Sequence, residues 1–372
     1  MTMLPNPPLW LVLLAFICAL GPLVFFHELG HYLVARLFGI PAETFSIGFG
    51  REIVGWSDRQ GTRWKVGWLP LGGYVKFVGD MSPASEPGDL DHLPASLRDR
   101  VFQAKPVWQR FLVVLAGPAA NFLLAILIFA AIFMTLGTPS TNVIGKVLPD
   151  SAAASAGLQR GDRIVSVAGT DTKDFTVLQG IIFDRPDKAV QLRFERDGQA
   201  RQVTVRLRSE DVADPFGHKM KRGVLGVSPA RPSIGRALAD GSRTTWALTR
   251  SIVDGLVEMI RGRVSTKEIG GPIKIAQIAG QGASLGFLPF VQLVALLSIN
   301  LGFINLLPVP MLDGGHLFFY GVEAVRRRPL SARALEWAFR GGLAVILALV
   351  LFTTVNDLGS LGLWDRLQRL IG

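Results

Sequence analysis

The sequence predicts a polytopic α-helical membrane protein with four transmembrane helices, a membrane-associated β-hairpin and one inserted β-rich α+β module. Three observations lead there. The chain has 372 residues, 49% hydrophobic and only 18% charged, a balance too apolar for an ordinary soluble domain. Its apolar residues gather into four runs without a charged residue: Leu9–Phe26, Phe111–Met134, Phe287–Leu307 and Gly341–Asn356. A helix needs about 20 mostly apolar residues to cross the hydrocarbon core. The fourth run reaches that length if it starts near Trp337, with Arg340 snorkelling to the interface. Between the second and third runs, short alternating stretches separated by Gly and Asp read as strands and turns.

The elements follow in order. The leading residues MTMLPNPP carry no Lys or Arg, and the first run continues into HELGH instead of a small-residue cleavage site. It is therefore expected to be a span and not a cleaved signal peptide. LVFFHELGHYLVARLFG carries only Gly30 as a breaker, so the helix should run on to the stop at Gly39 and Pro41. From 45 to 79 the period changes to two, as in Trp64, Val66 and Trp68, with the turn-like DRQG between two stretches. This predicts a β-hairpin whose aromatic residues suit a membrane interface. Residues 80–100 are polar and rich in Pro, Ser and Asp, and read as a loop. Then come the stretches VIGKVL, RIVSVAG, VQLRFERDG, RQVTVRLR and GVLGV, with a short helix in SAAASAG and a turn at Gly161–Asp162. The expected organisation is 1–137 with two spans and the hairpin, 138–232 as the β-rich module, 233–286 as an amphipathic connecting segment, and 287–372 with two spans. Residues 233–262 are expected to form a helix at the outer interface.

The net charge of +10 would suit nucleic acid, but its placement suits a membrane. Arg51, Arg59, Arg63, Lys65, Lys76, Arg98, Arg100, Lys105 and Arg110 lie between the first two spans, and Arg326, Arg327, Arg328 and Arg333 between the last two. Basic residues in short loops mark the cytoplasmic side. With four spans, this predicts an external N-terminus, an external module at 138–232, a lipid bilayer as partner and no nucleic acid. Cys18 is the single cysteine, so no disulfide framework or cysteine metal site is possible.

HELGH fits H-E-x-x-H, with His27 and His31 one helical turn apart on one face. Both imidazoles can reach one zinc ion. Glu28 can sit beside a water in the open position, take its proton, and pass it to the leaving amine. Ionisable residues in a membrane span are costly and functional by default. A third ligand is still required. In LSINLGFINLLPVPMLDGGHLFF, Pro308 and Pro310 should break the third helix. Unwound backbone at membrane depth is tolerated where it lines a cavity or is buried in protein. Asp313 lies in that break, on the same membrane face as HELGH under this topology, and is the candidate third ligand; the alternative is a helix N-cap. Asn305 can position the substrate backbone or an oxyanion, or make an interhelical hydrogen bond. His316 is assigned a packing or interface role, and His92 and His218 sit in polar loops.

FFHELGHYLVAR, the GPAANF element at Gly117–Phe122, the module carrying AGLQRGDRI, and NLLPVPMLDGGH occur in that order. Together they resemble the site-2 protease family, nearest the bacterial regulator-of-sigma-E proteases. VLPDSAAASAGLQRGDRIVSVAG resembles a PDZ domain of the bacterial protease type. The resemblance implies His27, His31 and Asp313 as zinc ligands, Glu28 as catalytic base, Asn305 as a substrate-positioning residue, and a hairpin that dips into the membrane beside the site. It also implies regulated intramembrane proteolysis at a bacterial inner membrane. The expected substrates are single-span membrane proteins already trimmed outside, such as an anti-sigma factor, with a peptide or C-terminus as a PDZ ligand. Some relatives carry two tandem PDZ domains, and the interval here has room for one. A transmembrane helix must unwind to be cut, and an exposed strand at Trp64–Leu69 or Gly72–Phe77 can pair with it. Two alternatives remain at this point. One is a membrane-anchored zincin that cuts outside the bilayer, and the other is a non-catalytic membrane PDZ adaptor.

Overall fold

The computed structural model describes residues 7–79, 98–213, 219–264, 270–328 and 330–360. Most of the expected loop at 80–100 lies outside these residues, as do His92 and His218. The chain forms two compact units, one built from 126–246 and the other from 7–125 with 247–372.

Among the described residues, four helices are long and apolar enough to cross a membrane. They are α1 (Leu9–Leu37), α2 (Val107–Leu136), Phe287–Leu306 and a helix at Ala332–Ser360 whose span covers Arg333–Gly359. The last starts before Trp337, so the short fourth run is extended at its N-terminal end. Leu9, Trp10, Leu13, Leu14 and Ile17 are exposed along α1, as expected of a surface whose solvent is lipid.

In the unit that contains α1, the expected hairpin is a bent sheet. β1 (Ala42–Ser57) and β2 (Arg63–Phe77) pair along several segments. Thr44–Ile47 stand opposite Lys76–Gly73 on one side and opposite Arg63–Val66 on the other, while Arg63–Val66 also pair with Ser57–Val54. Each long strand is bent at glycines: Gly48, Gly50 and Gly72 have φ of 85°, 84° and 109°, a backbone region open chiefly to glycine. The turn at 58–62 is tied by Asp58, which accepts from the backbone N–H of Gln60 and Thr62 and from Trp64 Nε1. These bonds hold its carboxyl below the usual range, although burial works the other way. The core beneath the sheet joins Tyr32, Ala35, Phe45, Val75, Phe77, Phe102, Val113 and Tyr320.

The described part of the segment after the β-rich module carries two helices, Ile234–Ile260 and Pro272–Ser284. The β-rich unit itself comprises β3 (Ile144–Val147), α3 (Ala152–Ser155), β4 (Arg163–Val167), β5 (Thr170–Asp171), α4 (Phe175–Phe183), β6 (Ala189–Arg196), β7 (Gln199–Arg206), β8 (Arg208–Ala213), β9 (Lys219–Val224) and β10 (Val227–Pro229). Its four-stranded sheet has the order β5-β4-β6-β7, with β10 beside β3 and β8 beside β9. Along β6, Val190, Leu192 and Phe194 point inward in strict alternation. They meet Ile164, Phe175, Leu178 and Leu207. Ser151 and Asp174 cap α3 and α4, accepting from Ala154 N and Val177 N. Helix α5 (Ile234–Ile260) follows. Its buried Asp240 accepts from Thr138 and Ser140 at 2.7 Å each.

In the other unit, α6 (Pro272–Ser284) is set by Asp357, whose carboxylate accepts from the backbone N–H of Gly271 and Lys274. Helix α7 (Phe287–Leu306) then leads into a non-helical stretch and α8 (Asp313–Arg326), before the last helix, α9 (Ala332–Ser360).

Candidate metal centre

Helix α1 brings His27 and His31 to one face because they are four residues apart. Their Nε2 atoms lie 3.2 Å apart. Helix α7 stops at Leu306, and the chain resumes as α8 only at Asp313. Pro308 and Pro310 cannot continue the helical ladder. Short-range bonds occupy part of the freed backbone: Val309 N donates to Leu307 O and Leu312 N to Val309 O. Met311 is forced to a φ of 81°, a strained conformation for a residue with a side chain. Gly314 and Gly315 pack directly on the backbone of 306–310, where a methyl group would collide with carbonyl oxygens. That contact lets the first turn of α8 fold back beside the break.

The result is that Asp313 Oδ2 stands 3.1 Å from His27 Nε2 and 3.5 Å from His31 Nε2. One ligand atom from each of the three residues lies within 4.8 Å of the others. The side chains keep only 10%, 12% and 17% of their exposure. Oδ2 of Asp313 makes no hydrogen bond of acceptable geometry. Two nitrogens and a carboxylate, converging with an orphaned buried oxygen, are the donor set of a catalytic zinc, so the residues present fit that metal.

Glu28 is buried next to His27 and lines a cavity of about 230 Å³ with the three candidate ligands, Asn305, His316, and Gly73–Val75 of β2. A methyl group on Gly73 would lie 3.1 Å from Glu28 Cγ and 2.6 Å from Val24. The strand therefore runs flush against the helix that carries Glu28. Asn305 faces the same cavity, and its amide nitrogen donates to Leu301 O at 3.0 Å within its own helix. His316 packs near the rings of Tyr320 and Phe339.

Sequence reasoning gave the GPAANF element no residue-level role, and the structure uses nearly all of it. Gly117 leaves the space that the His31 ring fills. Ala120 and the Ala116 carbonyl sit against Gly30, where α1 and α2 cross too closely for any side chain. Pro118 O and Phe122 sit 3.1 Å from the Cβ position of Gly302 on α7. Pro118 cannot bond back to Val114, and the adjacent Val113 carbonyl accepts from His31 Nδ1 at 2.9 Å. A carbonyl only accepts, so the His31 proton is on Nδ1 and its Nε2 lone pair is free. Asn121 stands at 3.1 Å from His27 Nδ1. The signal was present in the sequence: Asn121 is the only strongly polar side chain between Phe111 and Met134.

The peptidase family M50 model matches residues 15–349. A protein of Agrobacterium fabrum strain C58 bearing a zinc metalloprotease name is 41% identical over 358 residues, covering 93% of this chain and 95% of that one. The metalloprotease MmpA of Caulobacter vibrioides is 38% identical over 379 residues, covering 94% and 95%. Among solved structures, the PDZ domain of an SdrC-like protein from Listeria monocytogenes matches 24% of this chain and 85% of that chain at 19% identity, with a TM-score of 0.19. With four helices long and apolar enough to span a membrane, and a family match over most of its length, this chain belongs to peptidase family M50, the site-2 protease family of zinc-dependent membrane metalloendopeptidases.

Proposed function

We propose that this chain cleaves the transmembrane segments of single-span membrane proteins, with zinc held by His27, His31 and Asp313 and with Glu28 as the catalytic base. The observation that carries this reading is the convergence of three ligand atoms within 4.8 Å, two from one span and one from the break after another. Depth supports it as well. His27 and His31 lie ten and six residues before the end of the 29-residue helix α1. At 1.5 Å per residue that is about 15 and 9 Å from its end. In a helix about 43 Å long, against a core of about 30 Å, the site falls inside the helix and not at its tip.

When bound, zinc supplies Lewis-acid polarisation of the scissile carbonyl and lowers the pKa of water at the site. The protein's part is proton handling and alignment. The Glu28 carboxylate takes a proton from the attacking water and delivers it to the nitrogen of the leaving amine. Asn305 faces the cavity where it can donate to the substrate backbone.

The unwound substrate is received by strand addition at Gly73–Phe77. Arg63–Val66 is paired on both sides, whereas Gly73–Phe77 has strand partners on one side only among the described residues, and this segment lines the cavity. A strand added there satisfies the substrate backbone that unwinding frees. Proline substitutions along this edge, other than at Val75, whose backbone bonds Glu28, should therefore lower cleavage several-fold while zinc content stays at one ion per chain. Loss of zinc together with cleavage would sink the idea.

The reading sets 51–110 and 326–333 on the cytoplasmic side of a bacterial inner membrane and the module at 138–232 outside, and the basic residues of those two loops support that orientation. The module is read as a single PDZ domain. Its succession of β3, a short helix ended by Gly157, β4, helix α4 and the β6–β7 hairpin supports that reading. Its expected ligand is a peptide or C-terminus. The expected substrates are pre-trimmed single-span proteins, an anti-sigma factor or similar regulator among them. The test is co-expression of wild type and Glu28→Gln with a panel of tagged single-span proteins. A fragment formed by wild type, and reduced roughly 10²–10⁴-fold by Glu28→Gln, is the expected result. Equal fragments with both would exclude Glu28 as the base. A fragment cut outside the bilayer would favour a membrane-anchored zincin.

A further inference from the structure

Asn121 is fully buried, and one end of its carboxamide lies 3.1 Å from His27 Nδ1. Nδ2 is the nearer end, and Oδ1, at the other end, has no hydrogen-bond partner among the described residues. Its backbone carbonyl is engaged separately, accepting from Ser298 Oγ at 2.8 Å. A buried polar atom left unpaired is destabilising and calls for a reason. Rotating the amide by half a turn merely moves the orphan from oxygen to nitrogen. The side chain is therefore not placed for its own satisfaction.

The reason lies in the ring it faces. An imidazole binds a metal through one nitrogen's lone pair, and the other nitrogen then carries the proton. His27 turns Nε2 toward His31 Nε2 and Asp313 Oδ2. Its proton must then be on Nδ1, and the group facing Nδ1 must accept. Of the two ends of the carboxamide, only Oδ1 accepts. With Nδ2 in that place, Nδ1 would hold the lone pair. Nε2–H would then point at Asp313 and close the site to a metal.

We propose that Asn121 is a positioning residue for His27, accepting Nδ1–H through Oδ1 so that the Nε2 lone pair faces the other two ligand atoms. This rests on the reading of His27, His31 and Asp313 as zinc ligands. His31 has the fixed acceptor Val113 O, whereas His27 depends on a side chain. One helix, α2, orients both rings.

The test uses the full chain purified in detergent, with Asn121→Leu, Asn121→Asp and His27→Ala variants. Zinc affinity is measured by competition with a chromophoric chelator, together with zinc-free melting and the visible spectrum of the cobalt(II)-loaded protein. Asn121→Leu is expected to weaken zinc roughly 10–100-fold and to alter the cobalt bands. Asn121→Asp, an acceptor of the same shape, is expected to hold zinc at least as tightly as wild type. Unchanged affinity in Asn121→Leu overturns the proposal. So does an Asn121→Asp loss equal to that of Leu with unchanged zinc-free melting, because the amide would then be a donor. If Asn121→Asp melts early, the cobalt bands of Asn121→Leu decide, and unaltered bands overturn it. Zinc bound normally by His27→Ala would instead refute the ligand reading itself.

Discussion

Asp162 and Asp313 are both carboxylates drawn largely out of water, one in the β-rich unit and one in the unit that carries HELGH. Asp162 is saturated. It accepts from Arg196 Nε and Nη2 at 2.7 Å each and from Gln159 N at 2.8 Å, with its side chain 1% exposed. Asp313 faces two imidazole nitrogens and leaves Oδ2 without a hydrogen bond. The same functional group thus serves two ends. Where both oxygens are met by the protein's own donors, the carboxylate holds a turn between α3 and β4. Where one is left over, beside other lone pairs, the fold has kept a place for something it does not itself contain.

The comparison can be broken by removing each carboxylate. Asp313→Asn should have the largest functional effect. It should weaken zinc by more than the roughly 10–100-fold expected for an orienting residue and abolish cleavage, with little change in zinc-free melting. Zinc bound normally by the variant would assign the third ligand elsewhere. Asp162→Ala should do the reverse. Leaving Arg196 without its partner should cost roughly 3 kcal/mol of stability in the β-rich unit, read by amide hydrogen exchange of its strands, with zinc content of the chain unchanged. Unaltered stability would reduce Asp162 to a surface decoration.

The smallest effect sharpens the comparison through pH. Burial alone would raise the Asp162 carboxyl, but the Arg196 hydrogen bonds and charge win and hold it below its usual value. A carboxyl depressed in the folded state contributes stability that is complete above its unfolded value, about 4. That contribution is lost as pH falls through the depressed folded value. The β-rich unit should therefore weaken below about pH 4 in wild type more steeply than in Asp162→Ala. Parallel curves would refute the assignment.

Much of this molecule was legible beforehand for a physical reason. Spans announce themselves because a bilayer tolerates few charges over about 20 residues. HELGH announces a metal pair because helical spacing is local. The Pro308–Pro310 break pointed to Asp313 because helix breakers at membrane depth need a cavity. Less legible was the region 42–77, where the same residues Arg63–Val66 pair with two segments at once; alternation fixes a strand but not its neighbours. Helix α4 at Phe175–Phe183 and the β8 strand also escaped. Both are short, and their residues carry weak periodicity compared with the packing that holds them.

The sequence alone determined the family, the membrane spans, and the residue types able to hold zinc, since these depend on composition and on spacings of a few residues. Tertiary structure decided how the three candidate ligands meet. Gly30 and Gly117 let α1 and α2 approach until the His31 ring occupies the space a side chain would have taken. The Gly314–Gly315 pair lets α8 fold onto the break and carry Asp313 to the histidines. The α1–α2 approach is set by where helices can touch without a Cβ between them, a relation between residues some 90 positions apart that no local period records.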